Sequence, residues 1–425
     1  MQKIIPQKLK NFYHLAQAIG ANVYYGFPAK KIKIIGVTGT NGKTTTCQMI
    51  AKILEESGKK VAMISTINFK LGKKEWINKT KFTTVSALAT QKFIAEAVRE
   101  KCDYLILETS SHSLDQYRVW GIPYDIAVIT NITREHLDYH KTIAEYRRAK
   151  LKLFKNIKTA VINLDMEQPE EFLNCGAENI FGYTTQNKKE NLKIKTLKAE
   201  KIKLGIDGSE FGIDTDNFKL NLLGLFNIEN ALAAICVGIS EGIDFATIKS
   251  ALEKITKIPG RMDAVENDLG IKIIIDYAVT PDSLEKLGVL ILEQKKAEQK
   301  LIWVLGACGE RDQGKRPLMG EIVAKYADYI LVTNEDPYNE DPQKIIDAVF
   351  SGVLKNKKLV EEKNCWRVFD RKAAIKKALK LATPGDIILV TGKGAEETMA
   401  IGEKRIDWND KHVIEEELDK LQMSS

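Results

Sequence analysis

Gly36-Val37-Thr38-Gly39-Thr40-Asn41-Gly42-Lys43-Thr44-Thr45-Thr46 is the stretch from which the rest of this chain can be read. An apolar, β-branched run over residues 32–38 leads into it. A helical pattern leads out of it to about residue 57, with Gly58 as the expected stop. Strand, Gly-rich turn and helix start, in that order, describe a phosphate site. Glycines let the backbone approach an anion, and successive N–H groups at a helix N-terminus face it. Lys43 neutralises charge, and the Thr44 hydroxyl suits Mg²⁺. A strict P-loop has Gly five residues before Gly42, where this chain has Val37. The bland alternative, a Gly-rich turn, does not account for the strand–loop–helix setting.

Working outward, further strand candidates occupy 61–65, 104–107, 126–130 and 160–163, and after Gly260 the pattern restarts at 272–276, 301–306, 329–333 and 386–391. Their near-continuous apolar character suits strands buried on both faces, and helical periodicity lies between them. The fold class is therefore α/β: a P-loop domain with a mainly parallel sheet, then a second, Rossmann-like α/β domain. The Ile258-Pro259-Gly260-Arg261 punctuation marks the boundary, which gives a short segment 1–31, a central domain 32–258 and a C-terminal domain 259–425. A helix is expected over about 6–19, small antiparallel edge strands within 192–220, and an Ala-rich helix over 227–240.

In open α/β sheets, ligands bind outside the carboxyl ends of the strands. Two polar clusters end strands of the first set: Glu108-Thr109-Ser110-Ser111-His112, and the run 130–140 that contains His136, Asp138 and His140. A lone Glu or His at a strand end is ordinarily a solvated loop residue; clusters closing several strands of one sheet are not. The segment 146–154, with Arg147, Arg148, Lys150 and Lys152, reads on its own as a basic surface helix. Asn227 and Asn230 read on their own as a capped helix start. In the second set, Asp276, the loop 306–317 with Arg311, Lys315 and Arg316, the turn 333–342 and the loop 392–396 also follow strands. Three cations among glycines in 306–317 suggest an anion or carboxylate clamp.

Composition narrows the classes further. Hydrophobic residues at 44 % and charged residues at 28 % exclude a disordered chain, a collagen-like fibre and a disulfide scaffold. The net charge of +7 is spread along 425 residues, and Lys-rich stretches also carry Glu, so no nucleic-acid partner is expected. The six cysteines form no C-x-x-C pair and read as reduced thiols of a cytoplasmic protein. No signal pattern and no membrane-length apolar run is present, so no membrane partner is expected.

Taken together, the motifs resemble the Mur ligases, most closely the MurE type. The specific parts are Gly-Thr-Asn-Gly-Lys-Thr-Thr at 39–45, Ser-Ser-His at 110–112, His-Leu-Asp-Tyr-His at 136–140 and Gly-Lys-Arg-Pro-Leu-Met-Gly at 314–320. The resemblance implies an ATP-dependent amide ligase. It adds the third amino acid to UDP-N-acetylmuramoyl-L-alanyl-D-glutamate in peptidoglycan precursor synthesis, and so serves cell-wall formation, cell shape and division. It implies that Gly39, Thr40, Asn41, Gly42, Lys43, Thr44 and Thr45 cradle ATP, with Asn227 and Asn230 at the adenine. Glu108 and His136, with Thr44, are implied as Mg²⁺ ligands. Lys150 matches a lysine that the family carbamylates, which would make it an anionic metal ligand. Arg261 and Asp276 would reach the nucleotide from the second domain. Thr83, Thr84, Ser110, Gln116 and Arg118 are implied for the muramoyl-dipeptide. Arg311, Gly392 and Glu396, with Glu335, Asp336 and Tyr338, are implied for the incoming amino acid. A monomer is expected.

Departures from the pattern are informative. The first domain, which grips uridine in the usual MurE enzyme, is expected to be reduced to about 31 residues. Phe82 and Val85 replace Asn and Pro beside Thr83-Thr84, Val279 replaces a His and Ala395 another. Glu335-Asp336-Pro337-Tyr338 stands where diaminopimelate enzymes have Asp-Asn-Pro-Arg. Loss of that Arg removes a clamp on the distal carboxylate, so L-lysine is the first candidate amino acid. Two alternatives stand beside this reading. One is a Mur-like or folylpolyglutamate-synthase-like ligase acting on another carboxylate. The other is a nucleotide-binding scaffold without catalysis, against which intact Lys43, Glu108, His136 and Lys150 argue.

Overall fold

A computed structural model of the chain describes residues 6–80, 82–187, 194–205 and 208–422. Part of the expected 192–220 edge region therefore lies outside the described residues. Two units are present. One comprises the chain up to Thr133 together with Thr142–Thr256; the other comprises Arg134–Lys141 and the chain from Lys257 onward. This division differs from the expected one in two respects. The described part of 1–31 belongs to the first unit, where Asn11 Nδ2 donates to the Asp115 carbonyl (3.2 Å) and Asn22 Nδ2 to the Trp120 carbonyl (2.9 Å). The segment Arg134–Lys141, expected in the central domain, groups with the second unit.

In the first unit the strands are β1 (Lys33–Thr38), β2 (Val61–Ile64), β3 (Asn68–Leu71), β4 (Lys74–Ile77), β5 (Tyr104–Glu108), β6 (Ile126–Ile129), β7 (Thr159–Asn163), β8 (Asn179–Thr184) and β9 (Lys195–Lys198). They form one sheet in the order β4-β3-β2-β5-β1-β6-β7-β8-β9. All neighbours from β2 to β9 are parallel; β3 and β4 add an antiparallel edge. The central strands β1, β5 and β6 are buried almost throughout, as their unbroken apolar runs require. β10 (Glu200–Gly205), β11 (Gly208–Ile213) and β12 (Asp216–Leu220) make a separate antiparallel sheet, whereas β9 joins the main sheet in parallel.

The helix Lys43–Glu56 follows β1 directly and buries Cys47, Met49, Ile50, Ile53 and Leu54. It ends where expected. Gly58 takes φ +82°, and the Lys59 N–H donates back to the Leu54 carbonyl at 3.0 Å. The Ala-rich helix is Leu225–Ser240. The N-terminal helix, Gln7–Tyr24, runs five residues beyond the expected end at Ile19.

The second unit holds β13 (Asp263–Val265), β14 (Lys272–Asp276), β15 (Leu301–Leu305), β16 (Tyr329–Thr333), β17 (Cys365–Val368) and β18 (Ile387–Thr391). Their order is β13-β14-β18-β15-β16-β17, parallel except for β13. Alternate side chains serve two cores. Ile274, Trp303, Leu305 and Leu389 face one, and Ile273, Ile275, Val304 and Val390 the other. A two-stranded hairpin, β19 (Thr398–Ile401) and β20 (Lys404–Asp407), follows the sheet. Among the described residues no helix is long and apolar enough to cross a membrane.

Candidate active site

In the first unit the loop 39–42 leaves no room for side chains on its glycines. A Cβ at Gly39 (φ +151°) would fall 1.8 Å from Thr130 Oγ1, and one at Gly42 (φ +82°) 2.2 Å from Asn230 Oδ1. The end of β6 clamps the loop from outside. The Thr40 N–H donates to the Asn131 carbonyl (2.8 Å), the Asn41 N–H to Asn131 Oδ1 (2.9 Å), and Thr130 Oγ1 to the Asn41 carbonyl (2.6 Å). Lys43 Nζ folds over the loop and donates to the Thr40 carbonyl at 2.9 Å. A preformed backbone cradle at a helix N-terminus is the geometry that favours phosphate.

Glu108, 1 % exposed, closes β5 beside this cradle. Its Oε2 accepts from Thr44 Oγ1 (3.0 Å) and the Thr66 N–H (2.7 Å), and its Oε1 from Thr66 Oγ1 (2.8 Å). The expected substrate residues continue the same network. Thr66 Oγ1 lies 3.0 Å from Thr83 Oγ1, and Thr84 Oγ1 donates to the Glu108 carbonyl (2.9 Å). The Ser110 N–H donates to Thr84 Oγ1 (3.0 Å), and Arg118 Nη1 to the Thr84 carbonyl (2.8 Å). Ser110 Oγ also caps the short helix Ser111–Asp115, and Gln116 is the residue that ends it. Thr44, Glu108, Thr83, Thr84, Ser110 and Arg118 are thus brought together. Thr66, Thr130 and Asn131 join them, although their uncharged side chains offered little signal in the sequence.

Lys150 lies on the buried face of the helix Ile143–Leu151, not on its solvent face. It is 1 % exposed, and its Nζ donates to the Gly39 carbonyl (2.8 Å) and lies 4.4 Å from the centre of the Tyr146 ring. Burial, and then Lys43, hold its amine well below the ordinary lysine range. Asn227 and Asn230 are both buried. Asn230 Oδ1 accepts from Thr46 Oγ1 (3.3 Å) and Asn230 Nδ2 donates to Asn227 Oδ1 (3.3 Å), which ties the helix Leu225–Ser240 to the start of Lys43–Glu56.

The remaining expected residues lie in the second unit. His136 precedes the short helix Leu137–His140 with φ +58°, and its carbonyl accepts from the His140 N–H (2.9 Å). Glu108 and His136, expected as joint metal ligands, thus belong to different units. Next to His136, Glu135 Oε1 accepts from Lys315 Nζ at 2.8 Å; both side chains are buried. Arg316 pairs with Glu340 (2.9 Å). Of the three cations read as an anion clamp, two are thereby committed to internal ion pairs, whereas Arg311 makes no ion pair among the described residues.

Arg311, Glu335, Asp336, Tyr338, Gly392 and Glu396 follow the carboxyl ends of β15, β16 and β18, as open-sheet geometry requires. Arg261 lies over the Tyr277 ring (4.4 Å), and Asp276 Oδ2 accepts from the Met262 N–H (2.8 Å). Burial raises the Asp276 carboxyl, and Arg261 opposes the rise. Lys393, 0 % exposed, donates to both Asp336 oxygens (3.0 Å each), to Glu396 Oε2 and to the Thr398 carbonyl. Asp336 and Glu396 therefore position Lys393 rather than stand open to an incoming ammonium. The ligand atoms of Cys308, Glu335 and Asp336 lie within 4.8 Å of one another, the spacing of a shared metal ion, but the Lys393 ammonium already occupies both Asp336 oxygens. Glu335 differs from its neighbours. It is 4 % exposed, and its Oε2 has no hydrogen-bond partner among the described residues. Burial, then Asp336, pushes its carboxyl up to about 7.

Residues 37–238 match the Mur ligase middle domain, and residues 260–394 the Mur ligase glutamate ligase domain. The chain belongs to the Mur ligase family. It is 40 % identical over 410 residues to the UDP-N-acetylmuramoyl-L-alanyl-D-glutamate–2,6-diaminopimelate ligase of Syntrophomonas wolfei, a match that covers 94 % of this chain and 81 % of that one. A solved structure of a ligase with the same name is 30 % identical, with a TM-score of 0.60 over 92 % of this Mur ligase and 79 % of that chain. The Mycobacterium tuberculosis folylpolyglutamate synthase complexed with ADP superimposes with a TM-score of 0.71 over 89 % of this chain and 91 % of that one. At 18 % identity that likeness shows a shared fold. This Mur ligase is accordingly an ATP-dependent ligase with an α/β architecture.

Proposed function

We propose that this Mur ligase works in the cytoplasm, joining the D-glutamyl carboxylate of UDP-N-acetylmuramoyl-L-alanyl-D-glutamate to an amino acid at the cost of ATP. The observation that carries this reading is the continuous hydrogen-bonded run from Thr44 through Glu108 and Thr66 to Thr83, Thr84, Ser110 and Arg118. It joins a phosphate cradle to the residues proposed for the acceptor. The acceptor carboxylate attacks the γ-phosphorus of ATP, ADP leaves, and an acyl phosphate forms. The amine of the amino acid then adds to the acyl carbon, and phosphate leaves with the amide in place. The protein's part is positioning and charge neutralisation. The loop 39–45 and Lys43 hold the phosphates, and Arg118 faces the acceptor.

Thr44 and Glu108 supply the hard oxygen donors that Mg²⁺ takes, so the residues fit that ion, which would neutralise charge on the phosphates. An ammonium at Lys150 would not suit such a neighbour. A carbamate, formed from CO₂ and the neutral amine with loss of a proton, would, and the lowered amine pKa favours its formation.

For the amino acid, the absence of Arg at Tyr338 favours L-lysine, whereas the relatives named as 2,6-diaminopimelate ligases favour diaminopimelate, and we adopt diaminopimelate. The test is ATP-dependent phosphate release with UDP-muramoyl-dipeptide against a panel of amino acids, with product mass as the second readout. Release requiring both the muramoyl-dipeptide and meso-diaminopimelate is expected. Release with a folate acceptor instead would move the chain to the alternative ligase reading.

A further inference from the structure

The loop after β16 reaches Tyr338 in the left-handed region, at φ +50°. Its backbone is fastened to the β19–β20 hairpin: the Tyr338 N–H donates to the Ala400 carbonyl (3.3 Å), and the Gly402 N–H to the Tyr338 carbonyl (2.8 Å). Ala400 is paired in register with Arg405. The hairpin thereby places the Arg405 guanidinium 5.1 Å from the centre of the Tyr338 ring, and Arg311 lies 5.6 Å from the same centre.

Two guanidiniums on one phenol ring are weakly compensated. A cation over a half-buried ring gains about 1–2 kcal/mol, and here two charges share one ring and repel each other. Among the described residues neither Arg311 nor Arg405 pairs with a carboxylate; each donates an Nη1 hydrogen to a neighbouring backbone carbonyl, Glu310 and Lys404 respectively (3.1 Å each). Both side chains are exposed. Three residues upstream on the same loop, the buried Glu335 carboxylate has its Oε2 without a hydrogen-bond partner among the described residues. The loop therefore offers an acceptor for an ammonium and a guanidinium pair for a carboxylate, which are the two charges of an amino-acid head group. Diaminopimelate has such a head at each end; lysine has an ammonium alone at its far end.

We infer that Arg405 binds the distal carboxylate of the amino-acid substrate, supplying from the hairpin the guanidinium that Tyr338 lacks in its own side chain. The inference rests on the amino-acid reading above and makes Arg405 a specificity determinant for that reaction. The planar fork of Arg suits a carboxylate, and a hydrogen bond to a charged group is among the stronger ones.

The test compares meso-diaminopimelate with L-lysine, the latter read as substrate or as competitor, in the full chain. Arg405 is exposed, so Arg405→Ala leaves the fold in place. Its expected effect is a rise of about tenfold or more in KM for meso-diaminopimelate, with kcat and the lysine constant unmoved. Tyr338→Phe keeps the ring and should keep the preference for meso-diaminopimelate over lysine, while Tyr338→Ala should lose the same selectivity as Arg405→Ala. Equal loss for both amino acids, or no loss, overturns the role of Arg405 while leaving the ligase reading intact. A wild-type chain that ligates lysine but not diaminopimelate overturns the inference and the diaminopimelate reading together.

Discussion

Replacing Glu335 by Gln should change the pH dependence of stability more than stability itself. Glu335 sits where β16 ends, 4 % exposed, beside Asp336 and under Gly392, where a Cβ would fall 2.6 Å from Glu335 Oε2. Burial, then the Asp336 charge, raises its carboxyl from 4.5 to about 7, with Arg371 and Lys393 opposing the rise. The folded state then binds the proton more tightly than the unfolded chain between those two values. Stability falls as pH rises through that window and is level on either side of it. At about 1.4 kcal/mol per pH unit, a shift from 4.5 to about 7 amounts to about 3 kcal/mol. For a unit of this size that is roughly 6–12 °C in melting temperature. Urea and thermal unfolding of wild type and Glu335→Gln, measured from about pH 4.5 to about pH 7.5, should diverge by that amount. The wild type loses stability as pH rises, and the variant stays flatter. Parallel curves for the two proteins would refute the assignment of a raised carboxyl to Glu335. An amino acid whose ammonium reaches Glu335 should also release protons on binding near neutral pH, measurable as a buffer-dependent heat.

Glu108→Gln should reduce ATP-dependent ligation by about 100-fold or more, since it removes a charge beside Thr44. Because Glu108 is buried and accepts from Thr44 Oγ1 and twice from Thr66, its loss should also cost about 1–3 kcal/mol; near-normal turnover would show that the carboxylate does not serve the metal. Lys150→Ala should lose ligation while the protein remains folded, and a short carboxylic acid in the medium should restore part of the activity. Mass spectrometry of the native protein should find the CO₂ adduct at Lys150, and full activity in the variant would end the carbamate proposal.

How much of this molecule could be read from its residues depends on how local each constraint is. The glycines of the phosphate loop are legible because their requirement is set within a few residues, by a tight turn between an apolar strand and a helix. The unbroken apolar runs of β1, β5, β6, β14, β15, β16 and β18 are legible for the same reason, since a strand buried on both faces needs no knowledge of its partner. β4 and β20 are exposed along their whole length, so neither carries the alternation that would reveal it. Lys150 is the clearer case. Four basic residues lie within seven positions, a composition that describes solvent, yet Tyr146, Arg147, Ala149 and Lys150 are buried. The facing partner of Lys150 is the Gly39 carbonyl, 111 residues away, and only the family resemblance placed it there. Lys315 repeats the lesson in the opposite sense. A cation flanked by glycines reads as a ligand clamp, but Glu135, 180 residues earlier, has already neutralised it. What long-range pairing takes from one arginine-rich loop it supplies in another place. Tyr338 reads as the loss of a guanidinium, yet two guanidiniums stand at its ring: Arg311 from the loop after β15, and Arg405 from the hairpin, through a register pairing of Ala400 with Arg405 that no local pattern announces. The chemistry we infer for the amino-acid site is therefore set by the backbone bonds that hold Tyr338 to the hairpin as much as by the identity of residue 338.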